Sequence, residues 1–384
     1  MSFVETEAQH DLRAAVAKLG RRYTFTDYVL PKARAKEPLT ELWQDAARHG
    51  YLGVNLPEEY GGGGAGIYEL ALVQEELAAN GAGLLLVVVS PAICGTIIAR
   101  YGTSQQQQRW LPGLAAGTTI MAFAITEPDA GSNAHRITTT ARRVDGAWVL
   151  HGSKVFISGV DQADAVLVVA RIETEGKLRP ALFVVPTDAP HFVAQPMDMD
   201  LVQPDRQFTL HLDGVRLGDE HLVGEADAAL LQLFAGLNPE RILGAALAVG
   251  TGRYALDQAV SYAKSRQVWR QPIGTHQGLA HPLAQRRIEL DLAALKTRQA
   301  ASLYDEGWED AAAEAANMAK YAAAEASIGC LDQAIQTLGG SGLAAEHGLA
   351  AMLGMARIAR VAPVSREMVL NFVAEHSLGL PKSY

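Results

Sequence analysis

The 384-residue sequence predicts an α+β fold in three parts. These are an N-terminal helical domain over residues 1–119, a middle antiparallel β-domain over 120–225 and a C-terminal four-helix bundle over 226–384. Three observations predict this order. Apolar residues recur at helical spacing in the first and last zones. They alternate with polar residues in the middle zone, where turn residues separate the runs. There is no strand–helix–strand alternation, and no G-x-G-x-x-G follows a strand, so a Rossmann domain is not expected.

In the first zone, Thr40 to Gly50 places Leu42, Trp43 and Ala46 on one helical face and ends at Gly50. Tyr68 to Ala79 repeats the pattern. Gly61 to Gly64 lacks a following Lys or helix start, so a turn is expected rather than a phosphate loop. Gly81 to Ala99 carries no charge, but its unbroken apolar run is only Leu84 to Val89. A buried helix pair broken at Pro91 is expected, not a membrane span.

Strands are expected at Ala147 to Ile157, Ala165 to Arg171, Ala181 to Val185 and Gln207 to Asp213. Asp145-Gly146, Glu175-Gly176, Pro186 and Asp213-Gly214 supply turns between them. In the last zone Asn238 reads as an N-cap and Pro239 as the first helical position. Helices are expected over about 240–266, 283–306 and 311–338, with Gly339-Gly340 stopping the third and a fourth from about Ala345. The tail from His376 to Tyr384 is expected to run extended after Gly379 and Pro381, either packed on a neighbouring subunit or frayed.

Lys+Arg 33 against Asp+Glu 42 gives −9, which argues against a nucleic-acid binder with a broad basic face. A hydrophobic share of 49% excludes disorder along the whole chain. Cys94 and Cys330 cannot build a disulfide framework and make no C-x-x-C pair, so two buried thiols are expected. His135, His276 and His281 have no metal-ligand spacing. The segment from Met1 to His10 has no apolar h-region, so a reducing cytoplasm is the expected compartment.

Four motifs follow one another along the chain: AITEPDAGSN at 124–133, GSKVFISG at 152–159, RQVWRQPI at 266–273 and QTLGGSG at 336–342. Together they resemble the T-E-P-x-A-G-S-D, G-x-K-x-W-I-T-N, R-x-x-F-G-x-x-I and Q-x-x-G-G-x-G signatures of the acyl-CoA dehydrogenase family. The resemblance covers nearly the whole chain and implies FAD, held in a homotetramer or homodimer near a subunit interface. It places Phe123, Ile125, Thr126, Gly131 and Ser132 along the flavin and its phosphate. Phe156 takes the place of the family's Trp over the flavin, and Ser158 the place of its Thr beside N5. Arg266, Trp269, Gln277, Gln336, Gly339 and Gly340 would hold the adenosine end across the interface, with Ser365 and Glu367 near the cofactor. Arg270 stands where the family has Gly.

Desaturating an acyl thioester needs a carboxylate to remove the α-proton while the flavin accepts the β-hydrogen. Many family members carry that Glu in an E-G-T segment near the C-terminus. Here the matching residues are Pro363, Val364 and Ser365, so no carboxylate remains there. Asn238-Pro239-Glu240-Arg241 resembles the D-x-E-R segment of isovaleryl- and long-chain-type members, which makes Glu240 the candidate base. A Glu in a first helical turn is also a common capping choice. Arg241 would bind the acyl-CoA or pair structurally, and Ser132 also lies on the substrate side. The thioester carbonyl would be polarised by a backbone N–H beside the base and a flavin hydroxyl.

The resemblance implies dehydrogenation of an acyl-CoA to the 2,3-enoyl-CoA, with an electron acceptor such as an electron-transfer flavoprotein. Because the usual Glu is absent, two alternatives stay open. One is other chemistry on the same scaffold, such as monooxygenation, nitroalkane-type oxidation or desulfination. The other is a non-catalytic acyl-CoA-binding flavoprotein.

Overall fold

The computed structural model describes residues 4–174, 176–225 and 229–382. Glu175 of the expected turn and the last two residues of the tail lie outside the described residues. The N-terminal helices include α1 (Glu7–Gly20), α2 (Thr40–Arg48), α3 (Ile67–Ala79) and α4 (Ser104–Ala115). Thr6 caps α1 through a capping box with Gln9. Arg13 of α1 donates to Glu5, Glu75 and Glu76, and Arg253 meets the same two glutamates of α3 at 2.8 and 2.6 Å. The buried Glu75 and Glu76 are neutralised by the two arginines, and this cluster binds the first helix to the bundle.

The apolar segment around Pro91 is not a helix pair. It runs on through Leu85–Val87, the π-helix Val88–Gly95 and Thr96–Tyr101. The wider π turn accommodates the proline, whose missing N–H would break a regular α ladder. Both cysteines are buried and free.

The middle domain is one eight-stranded sheet. Its strands are β1 (Met121–Ala124), β2 (Thr140–Val144), β3 (Ala147–Ser158), β4 (Ala165–Thr174), β5 (Lys177–Pro186), β6 (Phe192–Pro196), β7 (Gln207–Leu217) and β8 (Leu222–Val223). The order is β6-β7-β3-β2-β4-β5-β8, with β1 beside β4. Most pairs are antiparallel, as expected. The β1–β4 pair is parallel, and β2 touches β4 in the parallel sense at Thr140–Arg171. The alternation of single strands carries no signal for partner direction. Both faces of β4 are covered, and the run Ala165 to Ala170 is buried throughout.

Three long helices form the bundle: α5 (Ala229–Ser265), α6 (Gln277–Asp305) and α7 (Glu309–Leu338). The expected fourth helix is broken into short pieces, among them α8 (Leu349–Ala356) and α9 (Arg366–Phe372). The expected start of α5 is corrected by ten residues. Asn238 is not an N-cap, and Pro239 and Glu240 lie inside the helix. Proline here removes the N–H that would bond the Ala235 carbonyl. Tyr304 of α6 fills that gap: its hydroxyl donates to Ala235 O at 2.6 Å. We expect Tyr304→Phe to leave this buried carbonyl unpaired and to cost about 1–3 kcal/mol. Denaturant unfolding checks this, and an unchanged midpoint would show that the bond is not what supports Pro239.

Candidate active site

Glu240 lies on one stripe of α5 with Gly236 and Gly244, four residues to either side. A Cβ on Gly236 would stand 2.6 Å from Ile97, so that glycine lets the Thr96–Tyr101 helix press close. A Cβ on Gly244 would meet only Pro363, at 3.9 Å. Glu240 therefore lies between the Pro91-containing helical run and the 362–365 segment. Its side chain is half-buried. Burial raises its carboxyl to about 7, against a partial pull downward from Arg241 and Lys320. Because Glu240 is mid-helix, no helix N-terminus lowers its pKa. The buried Arg241 donates through Nη1 to Asn238 Oδ1 at 2.9 Å, and its Nε meets no acceptor among the described residues.

Pro363, the position of the base in many relatives of the sequence pattern, faces the same stripe as Glu240 one turn along. Pro363 has no N–H to offer. The Ala362 N–H is spent on Ile358 O at 2.8 Å. The Val364 and Ser365 N–H groups meet no acceptor among the described residues, and Val364 is the one next to Pro363. Ser365 caps α9 by accepting from Met368 N, and Glu367 is exposed in its first turn.

A second set of expected residues gathers on the middle domain. Phe123 is buried on β1, followed by the half-buried Ile125 and Thr126. The loop after them is held by a buried ion pair. Glu127 accepts from the backbone N–H and hydroxyl of both Thr138 and Thr139, and from Lys154 Nζ at 2.8 Å. Lys154 also donates to Ile125 O at 3.0 Å. Burial alone would raise the Glu127 carboxyl, but Lys154 and Thr139 outweigh it and hold it at about 2. Gly131 and Ser132 are exposed at the loop tip, and a Cβ on Gly131 would touch nothing. The chain's own packing thus does not require this glycine, whereas a ligand lying against the backbone would.

Phe156 stands at a break in the β3–β7 register, with φ +59° and 56% exposure. The bulge turns its ring outward, a strained placement for a bulky side chain. Ser158 donates to Gln207 Oε1 at 3.0 Å, so its hydroxyl must turn to serve a ligand donor role.

The third set lies at one end of the bundle, where the start of α6 meets the end of α7. Gln277, Gln336, Gly339 and Gly340 are all exposed there, and Gly340, like Gly131, faces open space. Arg266 follows α5 and opens the hairpin of β9 (Gln267–Val268) and β10 (Gln271–Pro272). Trp269 and Arg270 form its tip with φ +54° and +72°, as a two-residue hairpin of this hand requires. That explains the glycine of the sequence pattern at position 270, which arginine replaces at some strain. Trp269 is 87% exposed, too much indole to leave without a partner surface.

The family models for the acyl-CoA dehydrogenase N-terminal, middle and C-terminal domains match residues 6–118, 122–215 and 231–378. The chain is 65% identical to the acyl-CoA dehydrogenase FadE12 of Mycobacterium tuberculosis (H37Rv), over 100% of its own length and 99% of that protein. It belongs to the acyl-CoA dehydrogenase family. Among solved structures it resembles butyryl-CoA dehydrogenase from Megasphaera elsdenii, with TM-score 0.92 and 26% identity over 98% of this chain and 100% of that one. It also resembles a glutaryl-CoA dehydrogenase from Mycobacterium smegmatis in complex with FADH2, with TM-score 0.90 and 27% identity over 99% and 96%.

Within the family pattern, sequence reading missed two groups. The Glu127–Lys154 pair stands in two of the motifs, but only the fold brings its halves together. Lys320 is an ordinary-looking lysine in an alanine-rich helix, and its burial was not legible. Both are exceptions to the rule that buried lysine is rare, which is the signal that burial supplies.

Proposed function

We propose that the protein is an FAD-dependent acyl-CoA dehydrogenase that converts an acyl-CoA to the 2,3-enoyl-CoA, with Glu240 as the base. The single observation that carries this is the half-buried Glu240, one helical turn from the place where Pro363 packs on the same stripe of α5. The glycines that face open space at 131 and 340 fit a cofactor laid against the backbone. Phe123, Ile125, Thr126, Gly131, Ser132, Phe156 and Ser158 would hold the flavin and its phosphate. Arg266, Trp269, Gln277, Gln336, Gly339 and Gly340 would hold the adenosine end of a cofactor in a neighbouring copy. Ser365 and Glu367 complete the cofactor set. Bound FAD supplies the two-electron acceptor for the β-carbon.

This chain's residues supply the rest. Glu240 takes the α-proton; its carboxyl near 7 suits a base working at neutral pH. The Val364 N–H donates to the thioester carbonyl, where charge builds as the proton leaves. Arg241, with a free buried Nε, orients the acyl-CoA beside Glu240. Mixing the holoprotein anaerobically with acyl-CoAs of different chain length tests this. Bleaching of the flavin with formation of a 2-enoyl-CoA is expected for at least one. Oxygen consumption without bleaching would favour other chemistry.

The assembly is a homotetramer or homodimer. Ile288, Leu292 and Leu295 form an exposed apolar stripe on α6, 61, 62 and 43% exposed, and Trp269 projects nearby in sequence. A holoprotein that sediments as a monomer would contradict this. Electrons would leave to an acceptor such as an electron-transfer flavoprotein. Two buried free thiols suit a reducing cytoplasm. No helix among the described residues is long and apolar enough to cross a membrane.

A further inference from the structure

Lys320 is 3% exposed, in the middle of α7. A lysine stays so deep only where something accepts its protons and balances its charge. Its Nζ donates to the carbonyl of Val364, on the wall that carries Pro363. The charged groups facing it come from three elements: Glu240 and Arg241 of α5, Glu367 of α9, and Glu325 of its own helix. Glu325 is already taken by Arg360 in a two-pronged bond of 2.8 and 2.6 Å, with Arg366 at 3.6 Å. Glu367 is exposed. Glu240 in turn faces Arg241 on its own helix, Lys320 across from α7 and the Cys94 thiol from the π-helix. Arg241 is bonded to the neutral Asn238 side chain and keeps its charge, so it faces Glu240 as a second cation. Neither Lys320 nor Arg241 forms an ion pair with Glu240 among the described residues, so both cations act on its carboxyl through space.

We propose that Lys320 is a positioning residue for the reaction: together with Arg241 its ammonium favours the ionised form of Glu240, and through the Val364 carbonyl it fixes the wall that faces the thioester. The proposal rests on the reading of Glu240 as the base. Lys320 touches neither substrate nor reacting atoms, so it acts through Glu240 and Val364. Burial and the neighbouring Arg241 lower it to about 8, so at neutral pH it is mostly charged. A positive charge favours the carboxylate over the acid, so removing it must raise the Glu240 pKa.

The test is the pH profile of kcat/KM for the FAD-loaded protein, which reports ionisation of the free enzyme. Lys320→Met should move the acid limb upward by about one pH unit. Its activity should approach that of the natural protein on the alkaline side. Lys320→Gln, which keeps a donor for Val364 without charge, should show the same shift and covers the case in which methionine prevents folding. Lys320→Arg should return the limb towards its original place. A limb that stays in place in the charge-free variants overturns the proposal, as does an equal shift in Lys320→Arg. Glu240→Gln separates the two readings. Full activity in that variant refutes the base and the proposal together. Loss of activity there, with an unmoved limb in both charge-free variants, refutes only the role of Lys320.

Discussion

Glu240→Gln is expected to slow flavin reduction by acyl-CoA by about 10²–10⁴-fold, the range for loss of a positioned general base. The amide keeps the shape of the side chain but cannot take a proton. Because glutamine has the size and shape of glutamate, the substitution should not disturb packing, and FAD content and melting temperature should stay unchanged. Anaerobic rapid mixing measures the rate. The effect should fall on the rate of reduction rather than on acyl-CoA binding, because Glu240 acts on the α-proton as it leaves. An unchanged rate would return Glu240 to a structural role.

Glu127→Gln is expected to have the largest effect on stability. It leaves the Lys154 ammonium buried beside a neutral partner, and breaking one side of a buried pair costs about 3–5 kcal/mol. The same pair grips the Ile125 carbonyl, so the loop from Ile125 to Ser132 should loosen and FAD should bind more weakly. Denaturant unfolding and flavin retention on gel filtration measure both effects. The pH dependence has a definite sign. The folded carboxyl stands at about 2, against an ordinary value of 4.5. Its stabilising contribution is therefore complete above about 4.5 and is lost as pH falls towards 2. The variant should lack that acid dependence. Equal stability of both proteins would mean that the pair contributes nothing net.

The three-part layout was legible because the apolar period changes twice, and period is a local property. Strand direction was not legible, so the parallel β1–β4 pair emerged only from the fold. The start of α5 was misread for a definite reason. Asn238-Pro239 is a good local helix start, but Tyr304, far along the chain, satisfies the carbonyl that Pro239 leaves free. A local rule lost to a tertiary bond. The environment of Glu240 is set by burial rather than by a helix end, a choice the sequence left open. The absence of a carboxylate at Pro363 was visible in the sequence. That Pro363 and Glu240 share one wall was not, because it depends on Gly244 bringing two distant segments into contact. Lys320 was silent for the same reason.

The pH dependence of flavin reduction at limiting acyl-CoA, compared between the natural protein and Glu240→Gln, tests the assignment of the base most directly. The rate of the natural protein should rise through one ionisation at about 7 and level off above it, because only the carboxylate takes the α-proton. The variant should stay slow at every pH. A natural profile without that ionisation, or a variant that follows the natural curve, would contradict Glu240 as the base.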